Sequence, residues 1–93
     1  MRREKAAMTF EDLAEMNESL VYLGDRPEQY RDAIVGLSQD DNHIIYSYSR
    51  FKECLMKEGM SEEDADEWIG FNTIRSIPYM GEYAPILMYD IEG

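Results

Sequence analysis

One cysteine, Cys54, and one histidine, His43, serve the whole chain, so an intrachain disulfide and a zinc site of paired Cys and His ligands are both excluded. A lone cysteine fits a reducing compartment. A catalytic triad that uses histidine as base has one candidate, and no nucleophile is placed in sequence to pair with it. No stretch approaches the roughly 18 apolar residues that a membrane helix needs. The basic start at Arg2, Arg3 and Lys5 is followed by Met8-Thr9-Phe10-Glu11-Asp12, not by an apolar signal core.

Bases are equally scarce. Nine Lys and Arg face twenty Asp and Glu, for a net charge of −11. That balance disfavours direct contact with nucleic acid or an anionic membrane, because both are polyanions, and it favours a protein partner with a basic surface. There is no phosphate loop and no dinucleotide fingerprint. Asp40-Asp41-Asn42 and Asp64-Ala65-Asp66-Glu67 lack the glycine and distal glutamate of a calcium loop. No cofactor, no metal and no enzymatic activity are expected. Cys54 falls on an apolar helical stripe, where cysteine behaves as a small hydrophobe.

The 93 residues suit one hydrophobic core, and three Phe, seven Tyr and one Trp supply aromatic material that disordered acidic tails lack. A single domain over residues 1–93 is expected, with residues 1–8 frayed. Thr9 can cap a helix carrying Glu11, Asp12 and Glu15 early, with Phe10, Leu13, Ala14 and Leu20 as its buried stripe. Val21-Tyr22-Leu23 reads as extended, and Gly24-Asp25-Arg26-Pro27 breaks it. A helical turn near Glu28 to Arg31 leads to Ala33-Ile34-Val35-Gly36-Leu37 and His43-Ile44-Ile45-Tyr46-Ser47-Tyr48, two strands parted by a turn-forming Gln39-Asp40-Asp41-Asn42. Ile44, Tyr46 and Tyr48 share the face expected to be core.

Ser47 or Ser49 can cap a helix over about 50–57 with Phe51, Cys54 and Leu55 inward, ended by Gly59. Ser61 caps a second helix whose inner face is Ala65, Trp68 and Ile69 and which is expected to fade near Gly70 to Asn72. Pro78 forces an irregular path, with Met80 at the surface. Ile86-Leu87-Met88-Tyr89-Asp90-Ile91 is nearly continuous in apolar residues, the pattern of a central strand covered on both faces, with Met88 in the core. The fold class is therefore α+β: an N-terminal helix, a β-hairpin, two helices and a returning C-terminal strand in a small antiparallel or mixed sheet. Free strand edges leave a homo-oligomer open.

Charge is concentrated late. From Met60 onward the acids are Glu62, Glu63, Asp64, Asp66, Glu67, Glu82, Asp90 and Glu92, opposed only by Arg75. The helix dipole accounts for acids in the first turn but not for Asp66 and Glu67. With Glu82 they are candidates for a patch that imitates phosphates to a basic groove. Arg75 is expected to be held by carboxylates or by carbonyls around Pro78. The alternative binding surface is apolar: the hairpin rim, or the loop from Tyr79 to Tyr83.

The run Glu62-Glu63-Asp64-Ala65-Asp66-Glu67-Trp68-Ile69-Gly70-Phe71-Asn72-Thr73-Ile74-Arg75-Ser76-Ile77-Pro78-Tyr79-Met80-Gly81, then Ala84-Pro85-Ile86-Leu87-Met88, resembles a group of small acidic proteins of Firmicutes phages and prophages. The likeness extends upstream through Asp32-Ala33-Ile34-Val35-Gly36-Leu37 and the strand of Tyr46, and leaves residues 1 to about 25 outside it. The resemblance implies a mobile-element origin and residence in the cytoplasm of a bacterial host. By analogy with anti-CRISPR proteins, it implies an inhibitor of a host defence nuclease such as Cas9. The residues expected to meet that partner are Glu62, Glu63, Asp64, Asp66, Glu67, Glu82, Tyr79 and Tyr83. The alternative implied is a phage accessory or assembly protein bound through apolar edges.

Overall fold

Thr9 opens the described part of the chain, residues 9–91 of the computed structural model; the fraying expected of residues 1–8 lies outside it. Its hydroxyl accepts from the Asp12 N–H at 3.1 Å, and the Asp12 carboxylate accepts from the Thr9 N–H at 2.9 Å. This capping box starts α1 (Phe10–Met16). Leu13 is buried and Phe10 half-buried, but Ala14, expected in the same stripe, is exposed. It lies about 100° further round the helix than Leu13, and seven residues are too few for a broad buried face.

Leu20 and Leu23 follow α1 in irregular chain, and Leu23 is buried. Gly24 then turns the chain at φ +91°, where a Cβ would come within 2.6 Å of Gln29 Oε1. That oxygen already accepts from the Asp25 N–H at 2.7 Å, so the turn admits only glycine without distortion. A short 3₁₀ turn, Arg31–Ala33, delivers the chain to the sheet.

The hairpin is β1 (Ile34–Leu37) and β2 (Ile44–Ser47), antiparallel, with a register shift between Ile34 and Gly36. Its turn places Asp41 at φ +63°, a conformation Asp tolerates. β3 (Ile86–Met88) pairs with β2 in parallel, Tyr46 opposite Leu87, so the mixed sheet has the order β1-β2-β3. The fold is α+β, as its element pattern requires.

Two details of the sheet differ from expectation. The C-terminal strand is an edge and not the centre, and it spans three residues rather than six. β2 takes the central place because both neighbours bond to it, and its Ile44 and Tyr46 are wholly buried. Ile86 at 40%, Tyr89 at 71% and Ile91 at 93% exposure show that the late apolar run is uncovered. Tyr48 is also displaced: β2 passes directly into α2 (Tyr48–Lys57), so this residue begins a helix and is half-buried instead of lining the strand's core face.

Ser47 caps α2, accepting from the Arg50 N–H at 3.2 Å. Phe51 and Leu55 are buried, Cys54 half-buried. Gly59, at φ +113°, ends the segment. α3 (Glu62–Trp68) starts at the Ser61 cap and buries Ala65. It does not fade at Gly70. It widens into a π-helical segment, Ile69–Ile74, that buries Ile69 and Thr73. Side chains serve the carbonyls of that looser coil: Asn72 Nδ2 donates to the Trp68 carbonyl at 3.1 Å, and Ser76 Oγ donates to the Asn72 carbonyl. The burial of Ile69 and Thr73 explains why the coil persists past a glycine.

A 3₁₀ turn at Ile77–Tyr79 with Pro78 in its first turn gives the irregular path expected there. Met80, expected at the surface, packs on the core, while Met88 is half-buried at the sheet edge. The core centres on Phe51, whose ring lies 4.8 Å from Tyr30, 6.4 Å from Tyr46 and 6.1 Å from Trp68.

One polar tie closes the C-terminal end of the described chain. Ser47 Oγ donates to Asp90 Oδ1 at 2.6 Å, and Ser49 Oγ donates to the same oxygen at 3.2 Å. The Ser47 hydroxyl, helped by Ser49, holds the Asp90 carboxyl below its ordinary range. Its contribution to stability is therefore present above the unfolded carboxylate value of about 4 and is lost as pH falls through the lower folded value. Thermal melts of Asp90→Asn and the parent should differ most near neutrality and converge as pH falls through that window. A gap that stays constant with pH would show that the carboxylate charge is not what holds this end.

Candidate functional site

The acids of α3 divide by what they face. Glu62 and Asp66, one turn apart, straddle Lys52 of α2: its Nζ lies 3.2 Å from Glu62 Oε2 and 3.4 Å from Asp66 Oδ1. The Tyr48 hydroxyl donates to the same Asp66 oxygen at 2.8 Å. That bond first, and Lys52 second, hold the Asp66 carboxyl below the usual range. Burial, followed by Asp66, pushes the Tyr48 phenol up to about 12. The hydrogen bond to Glu62 is the main cause that raises the Lys52 ammonium. These two acids fix α3 against α2.

Glu63, Asp64 and Glu67 are exposed, and their carboxylates have no ion pair or hydrogen bond among the described residues. The Asp64 backbone N–H is the one bonded to the Ser61 cap at 3.1 Å. Asp64 and Glu67 border a shallow concavity of about 370 Å³ that is completed by Met60, Trp68, Phe71 and Asn72. Phe71 is 58% exposed and carries the Arg75 guanidinium 5.1 Å above its ring. Arg75 therefore rests on an aromatic face, and not on the carboxylates or loop carbonyls expected for it. Phe71 lies on the π-helical coil and is exposed there.

The remaining expected contacts lie elsewhere. Tyr79 is 89% exposed at the end of the 3₁₀ turn, and Glu82 is exposed after Gly81. Tyr83 is half-buried, and its carbonyl accepts from the Val21 N–H at 3.4 Å. The eight residues thus form three groups: Glu63, Asp64 and Glu67 outward on α3, Glu62 and Asp66 inward toward α2, and Tyr79, Glu82 and Tyr83 in the connection to β3.

A second concavity, about 440 Å³ and mainly apolar, runs between the segment from Ile74 to Pro78 and β3, with Leu87 and Tyr89 in its wall. Ile74, Pro78, Ile86 and Tyr89 are its exposed members. A third, of about 550 Å³, is polar and lined by Asp32, Ser49, Arg50, Glu53, Cys54 and Lys57. Burial pushes the Cys54 thiol up, the opposite of what a thiolate nucleophile needs.

His43 is half-buried, its Nδ1 2.7 Å from the Ala84 carbonyl oxygen. That contact joins the hairpin to the approach of β3. Asp40 and Asn42 are used within the hairpin turn and its neighbour: Asp40 Oδ1 accepts from Ser38 Oγ and the Asn42 N–H, and Asn42 Oδ1 accepts from Asn17 Nδ2. No protein-family model, curated protein or solved structure matches the chain.

Proposed function

We propose that the protein is a non-catalytic inhibitory binding protein of phage type, one that blocks a host defence nuclease of the anti-CRISPR target class by presenting carboxylates to its basic nucleic-acid channel. The observation that carries this reading is the outward set Glu63, Asp64 and Glu67, left unpaired on a helix whose other two acids are tied to Lys52 and Tyr48. A carboxylate row on an anchored helix offers fixed negative charge to a partner at little conformational cost. The sequence resemblance to phage proteins supplies the class of partner.

Asp66 is excluded from the test because its carboxylate is already engaged by Tyr48 and Lys52. A Glu63→Lys, Asp64→Lys, Glu67→Lys variant should keep the parent melting curve but inhibit target-DNA cleavage by a Cas9-type nuclease about tenfold more weakly, a difference of about 1.4 kcal/mol. Parent binding should also weaken steeply with added salt. Undiminished inhibition by the triple variant would reject the carboxylate mechanism. Mass spectrometry of host proteins retained on the immobilised parent, but not on the triple variant, identifies the partner.

The 89% exposure of Tyr79 favours a second reading, an accessory or assembly protein that binds through its apolar loop. Here Tyr79→Ala should abolish capture of the partner while the triple lysine variant retains it.

A further inference from the structure

The concavity of about 370 Å³ bordered by Asp64 and Glu67 is assembled from neighbours at helical spacing. Trp68 stands four residues beyond Asp64, and Phe71 four beyond Glu67, so two carboxylates and two aromatic rings meet around one hollow. Met60, half-buried just before the Ser61 cap, adds an apolar wall. Asn72 donates an amide N–H to the Trp68 carbonyl at 3.1 Å, which leaves its own amide oxygen as an acceptor. The hollow thus offers acceptors over an apolar and aromatic lining. It has no cation of its own: Lys52 is engaged by Glu62 and Asp66, and neither Asp64 nor Glu67 has an ion pair among the described residues.

Unpaired carboxylates beside aromatic rings fit a cation carried on an apolar stem, because the rings attract the same charge as the acids. Phe71 already displays this chemistry, with the Arg75 guanidinium 5.1 Å from its ring centre. Arg75 does not line the hollow, and its single positive charge is exceeded by the two carboxylates there. Geometry separates the two cationic side chains. A guanidinium is planar, stacks on rings and carries five donors in a fixed fork that can serve both carboxylates, whereas an ammonium is a compact, strongly hydrated charge. We infer that the hollow is a socket for one arginine side chain projecting from the partner protein. The socket deepens the reading of the outward α3 carboxylates as the binding face, on which it rests: Asp64 and Glu67 grip a single protruding residue, while Glu63 lies outside the hollow.

Trp68 is the only tryptophan of the chain, so its fluorescence reports on the socket directly. The probes are three acetylated, amidated tripeptides with glycine at both ends and arginine, lysine or citrulline between them, citrulline being the neutral counterpart of arginine. Titrated into the full chain at low salt, the arginine peptide should change Trp68 emission saturably at millimolar concentration. It should bind about tenfold more tightly than the citrulline peptide and about threefold more tightly than the lysine peptide. Asp64→Asn with Glu67→Gln should weaken arginine binding about tenfold. Phe71→Leu, at an exposed position, should weaken it about threefold with the melting curve intact. Glu15→Gln with Glu18→Gln removes as much charge from exposed positions outside the hollow and should leave binding unchanged. No saturable change, equal affinity for the lysine or citrulline peptide, or full binding by the Asp64→Asn, Glu67→Gln variant would each overturn the socket. The nuclease assay tells the two readings apart. Inhibition weakened by the triple lysine variant but unchanged by Phe71→Leu would keep the carboxylate mechanism and overturn the socket. Arginine-selective peptide binding together with undiminished inhibition by the triple variant would keep the socket and reject the nuclease reading.

Discussion

Phe51→Ala is expected to cost about 3–5 kcal/mol, measured as the change in unfolding free energy in urea. Domains of this size have a total stability of about 5–15 kcal/mol, so the variant should be largely unfolded at physiological temperature or melt far below the parent. The magnitude follows from what surrounds the ring. Phe51 is 1% exposed and meets Tyr30 and Trp68 edge-on, at interplanar angles of 69° and 80°, with Tyr46 tilted alongside. Those three rings come from the loop before the sheet, from β2 and from α3. Each is held by other contacts, so the cavity cannot close by moving one of them. Phe51→Leu keeps most of the volume and forfeits the ring contacts, so it should cost about 1–2 kcal/mol. If Phe51→Ala cost no more than Phe51→Leu, the aromatic cluster would not be the centre of the core.

That cluster also explains how much of the molecule was legible in the sequence. The local signals held where one residue decides one feature. Thr9, Ser47 and Ser61 each cap a helix with a side-chain oxygen three residues from its donor, a spacing visible in sequence. Gly59 and Asp41 sit where the chain needs positive φ. Features that depend on which segment covers another did not follow from pattern. The apolar run from Ile86 to Ile91 has the composition of a covered strand, yet Ile91 is 93% exposed, because strand order is set by partners distant in sequence. A π-helical coil leaves no signature in hydrophobic period. Phe71 therefore came out on the surface, and Arg75 came to rest on it, without warning.

The acidic helix was visible as composition but not as a division of labour. Five acids in six positions look alike in sequence. Only the packing of α2 on α3 shows that Lys52 sits between Glu62 and Asp66 and that Tyr48 takes the second of these. Surface pairs of this kind contribute little each, so their importance lies in orientation: they turn Glu63, Asp64 and Glu67 away from α2. Fold and proposed function meet at this point, since the same Phe51 to Trp68 contact that stabilises the core seats the helix that carries the outward charge.

Tyr46→Phe removes one oxygen and is expected to cost about 1–3 kcal/mol at neutral pH. Tyr46 is wholly buried on the central strand, and its hydroxyl oxygen accepts from the Leu23 N–H at 2.9 Å. Leu23 is 3% exposed, so the variant leaves a backbone donor shut away from water with nothing to replace the lost acceptor. The pH dependence reports the burial of the hydroxyl, an upward shift that the Leu23 N–H partly offsets. Burial pushes the Tyr46 phenol up to about 12. A group whose folded value is raised contributes stability in full below its unfolded value of about 10, and that contribution is lost as pH rises through the folded value. The parent should therefore weaken between those limits, while Tyr46→Phe retains only the part of the alkaline slope that the other raised groups, Tyr22, Tyr30, Tyr48, Lys52 and Cys54, impose. Urea unfolding at a series of alkaline pH values should show the two stabilities approaching each other as pH passes 10. If their difference were unchanged across that range, the Tyr46 hydroxyl would not be shut away from water in the folded protein.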